Sequence, residues 1–402
     1  MAPKPLRVVD VSSFFSTSCG GIKRYYNEKA RFFDPHAVDC HLVVPGAQDS
    51  VKPFANGWLH ELAGPTQMGN DSYRRFALDG RLARCLAELQ PDVIEVASHY
   101  LLPSMVKRAI AAMPKKPAVV GFFHSHPRQV VQNITTMLPW GLGKDALASV
   151  TWRFLCWQHG AYDGTLVASQ HIEEELRRRG VPNVRRVGLG VDVDTFRPLR
   201  GQSRPDPHWV TYAGRFTRDK ELPLLLKAFD TVHARTGFGL RLVGEGPMRK
   251  RIDEHAKNRP WMKVQGFVAS PLEMATLLAE SAAVVVPSQT ETFSFATAEA
   301  LSSGTPVIGA DQGAVRELVQ NSGCGLTFTA GSDESLAGAL EMLLMRSEAE
   351  RHAMGERGRV HILQNLTWPH VVGRLTNAYH HAMTVVRNAR PQVAAAGVDA
   401  AV

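Results

Sequence analysis

The feature that most constrains the fold is an alternation running along nearly the whole chain, in which short apolar, β-branched runs are each followed by a stretch of helical character. Before residue 199 the runs are LRVVDV (6–11), CHLVVPG (40–46), DVIEVAS (92–98), AVVGFFH (118–124) and GTLVAS (164–169). After residue 208 they are WVTYAG (209–214), FGLRLVGEG (238–246), MKVQGF (262–267), AAVVVPS (282–288), TPVIGA (305–310) and CGLTF (324–328). Runs this short and this apolar read as strands of parallel sheets covered by helices on both faces. Ser169 stands at the N-cap of QHIEEELRRRG, whose acid-first, base-last order suits a helix dipole and which ends at Gly180. The Pro-, Gly- and Arg-rich stretch 199–208 separates the two sets as a linker. The expected organisation is an N-terminal Rossmann-like domain at 1–198 and a second one at 209–367. A terminal helix at 368–389 and a frayed tail at 390–402 follow. Two such domains face one another across a cleft rimmed by strand carboxyl ends, the default place for a ligand.

Several classes are excluded. No apolar run approaches the ~18–20 residues that cross a bilayer, and MAPKPLRVVDV enters a strand without a signal-peptide core. The five cysteines are scattered and never in CxxC spacing, which points to reduced thiols in a cytoplasmic chain and away from a zinc site. The net charge of +8 is uneven: residues 1–200 hold 25 Lys/Arg against 18 Asp/Glu, or +7. A basic N-terminal half suits an anionic membrane surface, a nucleic acid or an acidic substrate. No nucleic-acid-binding motif accompanies the charge, so nucleic acid is not an expected partner.

Three strand-to-helix turns in the second half carry chemistry. In YAGRFTRDKEL the strand ends at Gly214, and Arg215 and Lys220 lead into a helix, an anion site suited to a diphosphate. LVGEGPMRK is a Gly-rich turn containing Glu245 and Gly246, a weak signal alone. VPSQTETFSFATAEALSSG sets Glu291 in the loop and Glu299 inside a helix that begins near Ser294 and closes at Gly304. In the first half, Gly20 and Gly21 in SCGGIKRYY follow the first strand, and their backbone can approach a phosphate from across the cleft. GFFHSHPRQ ends its strand on His124 and His126, with no third ligand spaced for a metal. Asp-x-Asp in VDVD (191–194) lies beside the linker and reads as a turn and cap element, so no metal is expected.

Together CGGI, FFHSH, VASQHIEEELRRRGV, GVDVDTFRP, AGRFTRDKEL, LVGEGP and VPSQTETFSFATAEALSSGTPVIGADQGAVREL resemble the retaining glycosyltransferases of family 4, over about residues 6–385. The resemblance implies the two-domain GT-B fold, with the C-terminal helix crossing back to the N-domain. It implies a nucleotide-diphosphate sugar as donor, with no cofactor. Glu291 and Glu299 match that family's E-x7-E motif. By the same resemblance Arg215 and Lys220 neutralise the donor diphosphate and Glu299 takes the ribose hydroxyls. Glu291, Thr292 and the backbone of Phe293, Ser294 and Phe295 hold the sugar, beside His124. Gly20 and Gly21 match the loop that closes over the diphosphate. The motif often has Gly where this chain has Ser294. Retention is ascribed to front-face attack, in which the leaving phosphate takes the acceptor's proton, so no nucleophile is nominated.

The acceptor belongs to the N-domain in this fold. YLLPSMVKRAIAAMPKK (100–116) mixes apolar residues with Lys107, Arg108, Lys115 and Lys116, a composition for an anionic leaflet. The expectation is transfer to a lipid or lipid-linked acceptor on the cytoplasmic membrane face, with His126 and these cations turned to acceptor or membrane. Transfer to a soluble acceptor, a nucleotide-sugar epimerase and a non-catalytic nucleotide-sugar binder stay open. The base, sugar, linkage and oligomeric state are not read from the sequence.

Overall fold

The computed structural model describes residues 4–15, 21–67, 70–124, 126, 127, 131, 144–199 and 208–389. Sixteen strands are defined among them: β1 Leu6–Val11, β2 Val38–Gly46, β3 Ser50–Phe54, β4 Gly57–Ala63, β5 Thr66–Gln67, β6 Asn70–Arg74, β7 Val93–Val96, β8 Ala118–Phe123, β9 Gly164–Val167 and β10 Val184–Arg186 in the first half. The second half contributes β11 Trp209–Ala213, β12 Gly239–Val243, β13 Met262–Gln265, β14 Ala283–Val286, β15 Val307–Ala310 and β16 Gly325–Phe328.

The first sheet has the order β10-β9-β8-β7-β1-β2-β4-β3 and the second β13-β12-β11-β14-β15-β16. Every pairing in both is parallel except β3 with β4. β5 and β6 form a separate antiparallel pair. Strands such as β8, β12, β14 and β15 are buried along their full length, as sheets covered on both faces require. In each sheet the strand order reverses beside the first strand, at β1 and at β11, which opens the loops there and leaves a crevice. This is the α/β GT-B architecture of two Rossmann-like domains.

The Trp368–Ala389 helix leaves the second domain and packs on β8, β9 and the Gly21–Phe32 helix. Its Trp368, Leu375, Tyr379 and Ala382 are completely buried within a core cluster that also takes Tyr25, Val120 and Phe122 from the first domain. Below it lies a sealed polar network. Lys29 Nζ bonds Asp10 at 2.6 Å and Glu95 at 3.0 Å, and Tyr379 donates its hydroxyl to Glu95 at 2.6 Å. Burial raises the Asp10 pKa against the opposing pull of Lys29. Burial would lower that of Lys29, but the Asp10 and Glu95 carboxylates reverse the shift.

Two expectations are corrected here. Ser169 occupies the N-cap position of the Gln170–Arg178 helix, but its hydroxyl makes no capping bond. Glu317 of the second domain accepts from Gln170 N–H at 2.7 Å and His171 N–H at 3.3 Å instead, and the longer carboxylate satisfies two helix-end donors at once. Residues 100–116 do not present an apolar face. Leu102, Val106 and Met113 are core residues, and of the large apolar side chains only Tyr100 and Leu101, at the start of the stretch, remain exposed. Lys115 is tied to Asp92 at 2.6 Å, and Lys116 is exposed.

Candidate active site

The loop after β11 and the loop after β14 meet at the crevice of the second domain. A short 3-10 turn, Arg218–Lys220, sets Lys220 Nζ 2.6 Å from Glu291 Oε1 and 3.4 Å from Asp219. Ser288 Oγ donates to the Asp219 carbonyl at 2.9 Å and ties the two loops together. Burial would lower the Lys220 pKa, but Glu291 and Asp219 outweigh it and hold it above the usual lysine value. The ammonium is therefore charged at neutral pH. Arg215 is exposed on the same loop, and among the described residues its guanidinium makes no ion pair. Gly214 follows β11 directly, where an added Cβ would sit 2.8 Å from the Tyr212 hydroxyl oxygen.

The Gly-rich turn after β12 is explained by packing. Gly244 (φ +146°) and Gly246 (φ +154°) lie so close to the Gly214 and Phe216 carbonyls that a Cβ would stand 1.9 and 2.6 Å from them. Glu245 is exposed and bonded to Arg249 at 2.6 Å.

Ser294 caps the Phe295–Ser302 helix, its hydroxyl accepting from Thr297 N–H at 3.4 Å. Its φ of +74° explains why glycine suits this place: the left-handed region carries a Cβ penalty of ~1–2 kcal/mol. Glu299 lies one turn further on, 6% exposed, and its carboxylate receives the guanidinium of Arg24 from the first domain. Arg24 is sandwiched over Phe196 at 5.0 Å and Phe295 at 5.4 Å. Burial lowers its pKa, against the pull of Glu28 and Asp192. Phe293 is buried and meets Phe295 edge-on at 5.3 Å. Gly21, at the start of its helix, faces the Phe295 ring from across the cleft, a Cβ there falling 3.5 Å from it; Gly20 lies outside the described residues.

His124 stands at the end of β8, and Thr292 Oγ1 donates to its carbonyl at 3.0 Å across the cleft. His124 Nδ1 lies 3.0 Å from the Phe122 carbonyl, which assigns the proton to Nδ1 and leaves Nε2 a buried acceptor with no partner among the described residues. Burial lowers its pKa, so the ring is neutral. His99 stacks on it at 5.5 Å, and His159 meets His99 at 5.9 Å. His126 sits edge-on to Trp152 at 5.7 Å rather than beside His124. Asp192 accepts from Asp194 N–H, Thr195 N–H and the Thr195 hydroxyl, so the Asp-x-Asp stretch serves as a turn and cap.

The structure thus brings Lys220, Glu291, Thr292, Phe293, Ser294, Phe295, Glu299, Gly21 and His124 to one cleft, with Arg215 at its rim. The sequence reading missed Arg24 and the His99–His159 pair. Arg24 had a usable signal, since it lies three residues after Gly21 in a helix and so on the same face.

Two facing doubly wound sheets with these loops at their switch points define a GT-B sugar transferase. The solved sucrose-phosphate synthase of Thermosynechococcus elongatus has the same fold, with a TM-score of 0.75 over 94% of this chain and 99% of that one, at 18% identity. The family model for Glycosyltransferase Family 4 matches residues 19–195, and that for Glycosyl transferases group 1 matches residues 198–361. The chain belongs to glycosyltransferase family 4 and is a hexosyltransferase that uses a nucleotide-sugar donor. A GDP-mannose-dependent alpha-(1-6)-phosphatidylinositol dimannoside mannosyltransferase of Mycobacterium tuberculosis is 26% identical over 88% of this chain and 91% of its own length. A GDP-mannose-dependent alpha-mannosyltransferase of Corynebacterium glutamicum is 24% identical over 94% of this chain and 89% of its own.

Proposed function

We propose that the protein transfers a hexose, with retention and without a metal, from a nucleotide-diphosphate sugar of the GDP-mannose type to a hydroxyl of a lipid or lipid-linked acceptor at a membrane face. The observation that carries this reading is the Lys220–Glu291 pair at 2.6 Å in the crevice, with the start of the Phe295–Ser302 helix beside it. A charged lysine next to a helix N-terminus suits a diphosphate, and a carboxylate beside it suits sugar hydroxyls. Supporting the acceptor class, the Mycobacterium tuberculosis relative is named for a phosphatidylinositol dimannoside and aligns over most of both chains.

In the reaction, the bond between the anomeric carbon and the diphosphate oxygen breaks as the acceptor oxygen bonds to that carbon on the same face. The acceptor's proton passes to a phosphate oxygen of the leaving group. Negative charge grows on the diphosphate, and Lys220 and Arg215 oppose it; one such donor contributes ~3–4 kcal/mol in sites of this kind. Glu291 and His124 Nε2 accept hydrogen bonds from sugar hydroxyls, and Glu299 takes the ribose once Arg24 yields it. Domain closure excludes water and limits hydrolysis.

The test is nucleoside-diphosphate release from GDP-, UDP- and ADP-sugars, with and without a lipid extract. Release from one donor that rises with lipid is the expected result. Stimulation by soluble sugars alone would discard the lipid acceptor, and no release from any donor would discard transfer.

A further inference from the structure

The Lys144–Gly160 helix, between β8 and β9, is apolar on two opposite faces. One face is core: Ala148, Trp152 and Leu155 are buried, with Trp152 stacked on Phe123 at 5.6 Å. The other carries Leu147, Val150, Phe154 and Trp157, which are 38, 60, 40 and 72% exposed. At ~100° per residue these four fall within an arc of roughly 80°, and the Phe154 and Trp157 rings lie 6.1 Å apart. A continuous exposed stripe of this kind, unlike scattered apolar residues, marks an interaction surface.

We propose that this outer face seats on an anionic bilayer and inserts Leu147, Val150, Phe154 and Trp157 at the lipid interface. The inference rests on the lipid-acceptor reading above and names the surface by which the enzyme would reach that acceptor. Three observations converge. The inner side of the helix touches the cleft: Gln158 Oε1 lies 3.4 Å from His99 Nδ1, and His159 packs on His99, which stacks on His124. A bilayer on the outer side would therefore lie about one helix diameter, ~10 Å, behind the cleft histidines. Charge is complementary as well, because residues 101–160 hold seven Lys/Arg against one Asp. Arg153 lies on the stripe's border, Lys107 and Arg108 lie on the neighbouring crossover helix, and all three are exposed without an ion pair among the described residues. Right-handed crossovers put both helices on one face of the sheet. Finally, the most exposed stripe residue is a tryptophan, the side chain enriched at membrane–water boundaries. A second copy of the chain is a poorer occupant, since a two-fold contact would set this basic border against itself.

The experiment is flotation of the full-length protein with phosphatidylcholine vesicles, with and without phosphatidylglycerol. Donor-only nucleoside-diphosphate release is measured in parallel. Wild type is expected to float with the anionic vesicles and less at high salt. Trp157→Gln and Val150→Gln, both changes at exposed positions, are expected to lower partitioning about tenfold or more each. Arg153→Gln should lower it less and flatten the salt dependence. Donor-only release should be unchanged in all three. Flotation of Trp157→Gln equal to wild type overturns the proposal, as does failure of wild type to float. A wild-type dimer that Trp157→Gln converts to monomer, without flotation of either, assigns the face to a second copy and also overturns it. Flotation as expected with no release from any donor keeps the membrane seat and removes the transferase reading instead.

Discussion

Acid is expected to loosen the cleft edge before the rest of the N-domain, because a cluster of three histidines there is held in the neutral state. His99 and His159 are 5% and 1% exposed, and the Nε2 atoms of His99 and His124 are buried without a partner among the described residues. Burial, reinforced by His124, pushes His99 down to about 3, while Gln158 opposes weakly. Burial and the two neighbouring rings lower His159, and burial lowers His124. The folded-state pKa of each lies below the unfolded value of ~6.5. The unfolded chain therefore binds more protons as pH falls below that value, and the stability present above it is lost on the way down. For His99 the loss between pH 7 and 5.5 is ~1.2 kcal/mol, and His159 and His124 act in the same direction. Asp10, raised by burial, works in the opposite sense over the same range. A paired measurement isolates the histidines: hydrogen exchange of peptides spanning β7 and β8, from pH 7.5 to 5.5, in wild type and His99→Gln. The two stability profiles should be offset by a constant above pH 7 and converge by ~1.2 kcal/mol by pH 5.5. Parallel profiles would refute the reasoning.

Lys220→Ala and Glu299→Ala should each lose transfer while circular dichroism stays native. The lysine change should lower kcat by ~100–1,000-fold, from lost stabilisation of the leaving diphosphate, and wild-type turnover in either variant would remove the site assignment. Ser294→Gly should raise stability by about 0.5–1 kcal/mol in thermal unfolding, because relief of the left-handed strain exceeds the few tenths lost with the cap. Tyr379→Phe removes the 2.6 Å bond to the Glu95 carboxylate and should cost ~1.5–3 kcal/mol, read as faster exchange in the 368–389 helix.

The strands of both domains were legible because a buried parallel strand is a short apolar run, and all eleven of those read begin within two residues of the observed ones. TPVIGA extends over Val307–Ala310 only, since Thr305 and Pro306 precede the ladder. β3 and β4 went unread. Lys52 and Pro53 look wrong for a strand, but β3 is the sheet edge, where a missing N–H is tolerated. Glu291 and Glu299 were legible from spacing and the turn signals around them, whereas the pairing of Glu299 with Arg24 joins residues 275 apart in sequence. The inward turn of the apolar residues in 100–116 was illegible for a related reason. In 100–116 the apolar and basic residues are interleaved, and only the fold shows that the apolar ones turn inward. In the Lys144–Gly160 helix both faces are apolar, and nothing in the pattern says which face the sheet takes.

The contacts that join the two domains differ in kind on the two sides of the molecule, and that difference decides how the cleft can admit a donor. At the back they are buried, with a backbone pairing at their centre. Val191 bridges to Thr367 and donates to the Leu366 carbonyl at 2.8 Å, and Gly190 lies so close to Trp368 that a Cβ would stand 2.4 Å from the ring. Ser302 Oγ donates to the Phe196 carbonyl at 2.5 Å, and Tyr379 is locked into the charged network under the helix. At the mouth the contacts are made by side chains: Arg24 on Glu299, Thr292 on the His124 carbonyl, and Glu317 on the Gln170 helix. Side-chain bonds of this kind are replaceable by water or ligand at little net cost, whereas separating buried backbone pairs leaves unsatisfied groups. A rotation about the Val191–Thr367 bridge is therefore expected to open the mouth first and leave the back intact. Under the proposed role Glu299 makes this opening specific, because the same carboxylate that holds Arg24 would hold the ribose, so donor entry and release of the cross-cleft pair become one event.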